Sequence, residues 1–289
     1  MSAAAPDLGG RTVVITGANS GIGQEAAVEL AAMGATVVVA ARNRAKGEAA
    51  VAEIKRRSRR DAVELASLDL ASIASIHAFT DEFLANHERL DVLLNNAGLT
   101  LRKRQETADG FEMTFGVNHL GHFLLTALLR DRLVASAPSR VVTVASDAHR
   151  FARGGLPFDD LMATKRYRPF LTYSRSKLAN ILFTSELARR LDGTGVTANV
   201  LHPGFVASNF AREGDTGALG NIAMVAGRPF AVSPAKGAET SVFLASSPMV
   251  DGVTGQYFVK CALAKTSAAG ADADAAQRLW AVSEQLLPR

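Results

Sequence analysis

The sequence predicts a doubly wound α/β fold, a mostly parallel sheet with helices on both faces, and three observations predict it. Short runs at 12–16, 36–40, 62–68, 92–94, 141–145 and 196–201 are apolar at consecutive positions, as strands buried on both faces are. Helical patterns at 21–33, 44–58, 72–86, 109–135 and 172–191 alternate with them, and strand–helix alternation with right-handed crossovers builds such a sheet. A glycine-rich turn joins the first run to the first helix.

No Pro/Gly/Ser linker and no fixed-period repeat divides the chain, so residues 1–289 read as one domain with a flexible start over 1–10. Two segments interrupt the alternation, 147–171 after the fifth strand and the glycine-rich 204–232 after the sixth. Both follow carboxyl ends of strands, where α/β sheets bind ligands, so both are expected to border a substrate site. Residues 273–287 read as a last helix burying Leu279, Trp280, Val282, Leu286 and Leu287.

Composition excludes several function classes. With 48% hydrophobic and 21% charged residues, the chain reads as an ordinary globular protein. Cys261 is the single cysteine, so no intrachain disulfide forms. The first ten residues lack the pattern of a signal peptide, and no run approaches the roughly 18 apolar residues of a membrane span. A cytoplasmic protein is expected. The basic runs Lys55–Arg60 and Arg102–Arg104 have no interleaved aromatics, which reads as solvated charge rather than a nucleic-acid surface.

The turn Thr16-Gly17-Ala18-Asn19-Ser20-Gly21-Ile22-Gly23 carries the first chemical signal. Glycines at 17, 21 and 23 permit a tight turn and a close backbone approach to a pyrophosphate, whose charge the free amides of the helix start would meet. A Rossmann-type dinucleotide site follows. At the end of the second strand an acid would select NAD by bonding the ribose 2′-hydroxyl. Here stand Ala41-Arg42-Asn43-Arg44 instead. The planar fork of Arg42 suits a 2′-phosphate, so NADP(H) is the expected cofactor.

Tyr173 and Lys177 stand four apart at the start of a helical stretch and share one face. A free tyrosine titrates near about 10, and lowering it by about three units takes roughly 4 kcal/mol. A neighbouring ammonium together with a positively charged nicotinamide in a partly desolvated site is expected to depress it in this direction. The spacing alone is common on helices and carries little.

Taken together in order, Thr-Gly-x-x-x-Gly-x-Gly at 16–23, Asp69-Leu70, Asn95-Asn96-Ala97-Gly98, Asn118, Ser146, Tyr173-x-x-x-Lys177 and His202-Pro203-Gly204 resemble the short-chain dehydrogenase/reductase family over nearly the whole chain. The resemblance implies that Tyr173 is the general acid/base and that Ser146 bonds the substrate oxygen. It implies that Lys177 holds the nicotinamide ribose and that Asn118 holds a water linking Lys177 to solvent. By the same resemblance Asp69 contacts the adenine, with Leu70 beside it. Asn96, Ala97 and Gly98 line the nicotinamide, and Pro203, Gly204, Val206 and Ser208 hold its carboxamide side. Ser208 stands where many relatives have threonine.

Within that family the chain is most similar to the retinol dehydrogenase group. Thr107-Ala108-Asp109-Gly110-Phe111-Glu112, Val117-Asn118-His119-Leu120-Gly121-His122-Phe123, Tyr173-Ser174-Arg175-Ser176-Lys177-Leu178-Ala179-Asn180 and Arg278-Leu279-Trp280 carry this similarity. The resemblance implies interconversion of an alcohol and a carbonyl on a lipophilic small molecule, retinoid or other aldehyde or ketone. Many animal members carry an N-terminal anchor; none is expected here, which leaves the substrate open. Members are commonly dimers or tetramers, though nothing in the chain specifies an interface.

Other signals compete. A protochlorophyllide reductase-like enzyme shares the tyrosine–lysine pair but usually carries several cysteines around its pigment. A non-catalytic NADP(H) sensor or scaffold would not need all of Asn118, Ser146, Tyr173 and Lys177. His119 and His122 stand three apart, yet no third ligand at sensible spacing accompanies them, so packing roles and no metal are expected. Ser146-Asp147-Ala148-His149 hints at a serine hydrolase but lacks the Gly-x-Ser-x-Gly elbow. Phe151, Leu156, Phe158, Phe170, Leu171 and Phe205 flank the expected site and, if they line it, favour an apolar substrate.

Overall fold

In a computed structural model the chain is described over residues 6–204 and 232–287. Among these residues eight strands form one sheet in the order β3-β2-β1-β4-β5-β6-β7-β8. The strands are β1 Thr12–Thr16, β2 Thr36–Ala41, β3 Val63–Ser67, β4 Val92–Asn95, β5 Ser139–Val144, β6 Val196–His202, β7 Tyr257–Val259 and β8 Ala262–Leu263. All neighbours pair in parallel except β7 with β8. The order runs outward from β1 in both directions, so the chain reverses between β3 and β4, and the cleft at that reversal is where such sheets take ligands.

Consecutive apolar residues in the strands follow from burial on two sides. Val13 and Ile15 face one core, packed under α1 Gly21–Ala32 and α2 Arg44–Ser58. Val14 faces the other, under α3 Ile73–Asn86, α5 Gly121–Ala135 and α6 Pro169–Arg190. Short α4 Met113–Phe115 and a π turn at Gly116–Leu120 lead into α5. The helix expected from 109 therefore starts at Met113, because Thr107–Phe111 closes a turn of its own by backbone bonding. Polar caps set most starts. Asn43 Oδ1 accepts the Lys46 amide in α2, and Ser72 Oγ accepts the Ser75 amide in α3.

Three elements go beyond the sequence expectation. Helix α7 Pro234–Ser246 is started by Ser233, which caps Lys236, and by Pro at the first position. Strands β7 and β8 are too short to show a period. The expected looseness of 1–10 does not extend to Leu8, which is buried and donates its amide to the Met33 carbonyl. The cations of Lys55–Arg57 do lie in the last turn of α2, with Arg56 paired to Glu53 and Arg57 to Glu25.

The last helix, α8 Ala273–Leu286, packs against α6. Leu279 and Leu287 are buried as expected, whereas Trp280, Val282 and Leu286 are only partly so. Trp280 stacks on Phe183 and meets Phe123 edge-on at 4.8 Å. Among the described residues no helix is long and apolar enough to cross a membrane.

At the opposite, amino-terminal edge of the sheet, buried Asp91 accepts from Arg11 at 2.8 Å, Arg89 at 2.6 Å and the Thr12 amide at 2.9 Å. Burial pushes its carboxyl up, but those bonds outweigh burial and hold it below the usual aspartate range. Its stabilisation is therefore present above the ordinary aspartate pKa and lost as pH falls through the lower folded value. Asp91→Asn should cost about 1–3 kcal/mol at neutral pH and flatten the acid limb of stability, read by urea unfolding across pH. An unchanged acid limb would contradict this account.

Candidate active site

The loop after β1 is shaped by its glycines. Gly17 and Gly21 sit at φ +67° and +59°, where side chains are strained. A Cβ on Gly23 would lie 2.5 Å from Asn96 Nδ2 and 2.8 Å from the Gly17 carbonyl, so that position excludes any larger residue. Ser20 stands at the N-cap of α1 but makes no capping bond. The amides of Gly21, Ile22 and Gly23 consequently open α1 without a capping side chain, which fits a pyrophosphate. Asn19 is partly exposed beside them.

Arg42 follows β2 directly, and the Gly17 amide donates to the Ala40 carbonyl at 2.9 Å, so the glycine loop and the end of β2 abut. Arg42 is exposed and forms no ion pair with any described residue. Asn43 is exposed too, with its oxygen occupied by capping α2. Asp69 caps its own turn, accepting the Ala71 amide at 3.0 Å. The Leu70 side chain goes to the core rather than the cleft, and its carbonyl lies under Gly121.

Thr16 joins β1 to the β4 loop. Its hydroxyl oxygen accepts the Asn96 and Ala97 amides, each at 2.9 Å, while Asn96 Nδ2 donates to the Thr16 carbonyl at 2.8 Å. Gly98 follows, close enough that a Cβ there would sit 3.2 Å from Lys177 Nζ and 3.4 Å from Asn118 Oδ1. Asn118 lies in the π turn. Its amide nitrogen donates to the Leu99 carbonyl and to Ser176 Oγ, both at 2.9 Å, and its oxygen accepts the Leu99 amide at 2.8 Å.

Ser146 lies just past β5 and caps the following 3-10 turn, Asp147–Phe151, by accepting the Ala148 amide at 3.1 Å. Its hydroxyl also bonds the Tyr173 hydroxyl. Tyr173 and Lys177 lie one turn apart on α6, with Lys177 Nζ 5.9 Å from the tyrosine ring centre. The structure thus brings Asn118, Ser146, Tyr173 and Lys177 together at the carboxyl edge of the sheet beside Gly98. Pro203 and Gly204 follow β6 at that edge, Gly204 at φ +89°. Val206, Ser208 and Phe205 lie outside the described residues.

The electrostatics of the chain alone are set by burial. The Tyr173 side chain is partly exposed, but its hydroxyl end is surrounded by protein, and burial pushes its pKa up to about 12 against a smaller downward pull from Ser146. Lys177 does not offset this. Its ammonium donates to the Val144 carbonyl at 2.9 Å, and burial lowers it to about 8. Burial is the largest influence on both groups.

Several signals resolve into other roles. His119 bonds Ser283 and His122 bonds Thr16, so the two rings do not converge on a shared point. Burial takes them to about 3 and about 4 respectively. His149 reaches the Ser146 carbonyl rather than its hydroxyl, which breaks the hydrolase reading. Leu156 is buried and Phe158 lies under Arg278. Phe151 and Phe170 remain exposed, edge to face at 5.0 Å.

A family model described as short chain dehydrogenase matches residues 11–158. Human retinol dehydrogenase 14 is 46% identical over 292 residues, covering 96% of this chain and 86% of that protein. The chain belongs to the short-chain dehydrogenase family. It is an oxidoreductase of that family related to the retinol dehydrogenases; human retinol dehydrogenase 12 is also 46% identical, over 97% of this chain and 87% of the relative. A crystal structure of an uncharacterized protein from Mycobacterium paratuberculosis superposes with TM-score 0.79 at 38% identity, covering 99% of this chain and 98% of that one. A Pseudomonas aeruginosa RhlG/NADP complex superposes with TM-score 0.69 at 26% identity over 87% of this chain and 95% of the other.

Burial lowers Lys177 in the folded state, so its ammonium opposes folding fully below about 8. That penalty fades as pH rises toward the ordinary lysine value of about 10.4. Lys177→Met should raise Tm at neutral pH, with the gain shrinking across that window. A lower Tm for the variant at neutral pH would show that the Val144 bond outweighs desolvation.

Proposed function

We propose that the chain is an NADP(H)-dependent, cytoplasmic oxidoreductase interconverting an alcohol and a carbonyl on an apolar aldehyde or ketone, with Tyr173 as general acid/base. The observation that carries this reading is the meeting of Asn118, Ser146, Tyr173 and Lys177 beside an uncapped helix start. A bound dinucleotide would lie along the Gly17–Gly23 loop and supply or accept the hydride. Arg42, unpaired among the described residues beside that loop, supports the phosphorylated cofactor. The relatives' name, retinol dehydrogenase, and the exposed Phe151–Phe170 pair support a lipophilic substrate.

In reduction, the Tyr173 hydroxyl gives its proton to the carbonyl oxygen while Ser146 donates a hydrogen bond to that oxygen. Lys177 and Asn118, next to Gly98, hold the ribose side and the proton path behind the tyrosine. A tyrosine held near about 12 keeps its proton at neutral pH, which readies the site as an acid. Oxidation of an alcohol needs the phenolate first. Alcohol oxidation should therefore climb with pH through the neutral and alkaline range while carbonyl reduction stays nearly level.

Tyr173→Phe should abolish turnover and leave NADPH binding almost intact, measured by cofactor fluorescence beside an NADPH-oxidation assay; full activity would sink the mechanism. Arg42→Ala should weaken NADP(H) far more than NAD(H), and equal losses would contradict the cofactor preference. A screen of aldehydes and ketones of graded chain length, retinal included, tests the substrate class. No oxidation of NADPH with any carbonyl would count against the enzyme reading.

A further inference from the structure

Two buried imidazoles stand behind the site, and the hydrogen bonds around each admit one arrangement of protons. His122 Nδ1 lies 3.1 Å from the Asn118 carbonyl, which can only accept, so Nδ1 carries the hydrogen. Nε2 lies 2.9 Å from Thr16 Oγ1. That oxygen already accepts two amides, from Asn96 and Ala97, which fills its lone pairs. Its own hydrogen then goes to Nε2, the alternative Leu94 carbonyl being at 3.5 Å. His149 repeats the pattern. Its Nδ1 lies 2.8 Å from the Ser146 carbonyl, and its Nε2 accepts the Ser267 amide at 3.1 Å. An imidazolium at either place would set a ring N–H against a donor.

We infer that His122 and His149 are paired positioning residues, neutral Nδ1–H imidazoles that pin the backbone carbonyls of Asn118 and Ser146 to distant parts of the chain. The inference rests on the roles given above to those two residues. His122 ties Asn118, in the π turn, to Thr16 and hence to the Asn96–Ala97 backbone that lines the cofactor cleft. It registers the catalytic side of the site against the cofactor side. His149 holds the corner at which β5 ends, so that Ser146 presents its hydroxyl to Tyr173. Its far anchor, Ser267, lies in the segment between β8 and α8. Neither ring touches the reacting atoms. Each acts through the residue whose carbonyl it holds, and both are wholly enclosed, His122 at 1% and His149 at 0% exposure.

Three substitutions separate the two ends of each ring. Asn keeps an N–H donor near the Nδ1 position and loses the far acceptor. Gln keeps an oxygen acceptor near Nε2 and loses the near donor, while Phe keeps the bulk and loses both. His149→Phe should lower kcat for carbonyl reduction on the order of tenfold to a hundredfold, with the KM for NADPH little changed. His122→Phe should lower kcat similarly and also weaken NADPH binding, because Thr16 loses the acceptor that orients it. His149→Asn and His122→Asn should recover part of kcat. Wild-type kcat in the folded Phe variants would overturn the inference, as would equal losses in all three variants of a site. Nitrogen-15 NMR of the full chain should show both rings as neutral Nδ1–H tautomers at neutral pH. An Nε2–H tautomer or an imidazolium at either ring would overturn it even if the protein reduced no carbonyl tested, and that lack of turnover would count only against the proposed function.

Discussion

Parallel pairing of β2, β1, β4, β5 and β6 is the constraint on which the rest depends. Strands that run the same way finish on the same edge, so Gly17, Arg42, Asn96, Ser146 and Pro203 are delivered to one cleft although they are far apart in sequence. Crossover helices cover both faces and leave only that edge for chemistry. Backbone pairing thus does at long range what no local motif can. The β4 strand carries this furthest, since its exit loop meets both the Thr16 hydroxyl and the Asn118 amide.

Much of this arrangement was legible in the sequence because its signals are local and strong. The consecutive valines of β1 and β2, the glycines of 17–23 and the one-turn spacing of Tyr173 and Lys177 each dictate geometry directly. Short edge elements were not legible, since three residues in β7 and two in β8 cannot show a period. Helix α7 had a readable start in Ser233-Pro234, masked by the glycine-rich stretch before it. Thr16, His122 and His149 escaped for a different reason. Each works by the direction of a hydrogen, fixed by partners 80, 106 and 118 positions away. A sequence shows that a histidine is present but not which nitrogen is bare.

Charge and burial compete at the tyrosine. In the chain by itself the Lys177 ammonium bonds the Val144 carbonyl and burial dominates the phenol. Burial therefore holds the phenol protonated at neutral pH. Asp91, at the other edge, shows the opposite balance, where three donors outweigh burial.

The contact of α8 with α6 has a bearing on biosynthesis. Every member of the Asn118–Lys177 group leaves the ribosome before Ser267 and Ser283, which hold the rings of His149 and His119, and before Leu279 and Trp280 of the helix packed on α6. A chain cut before Ser267 would carry that whole group and still leave Phe183 of α6 without the Trp280 ring that stacks on it. Limited proteolysis of such a shortened chain would then find the aromatic surface of α6 that α8 otherwise covers.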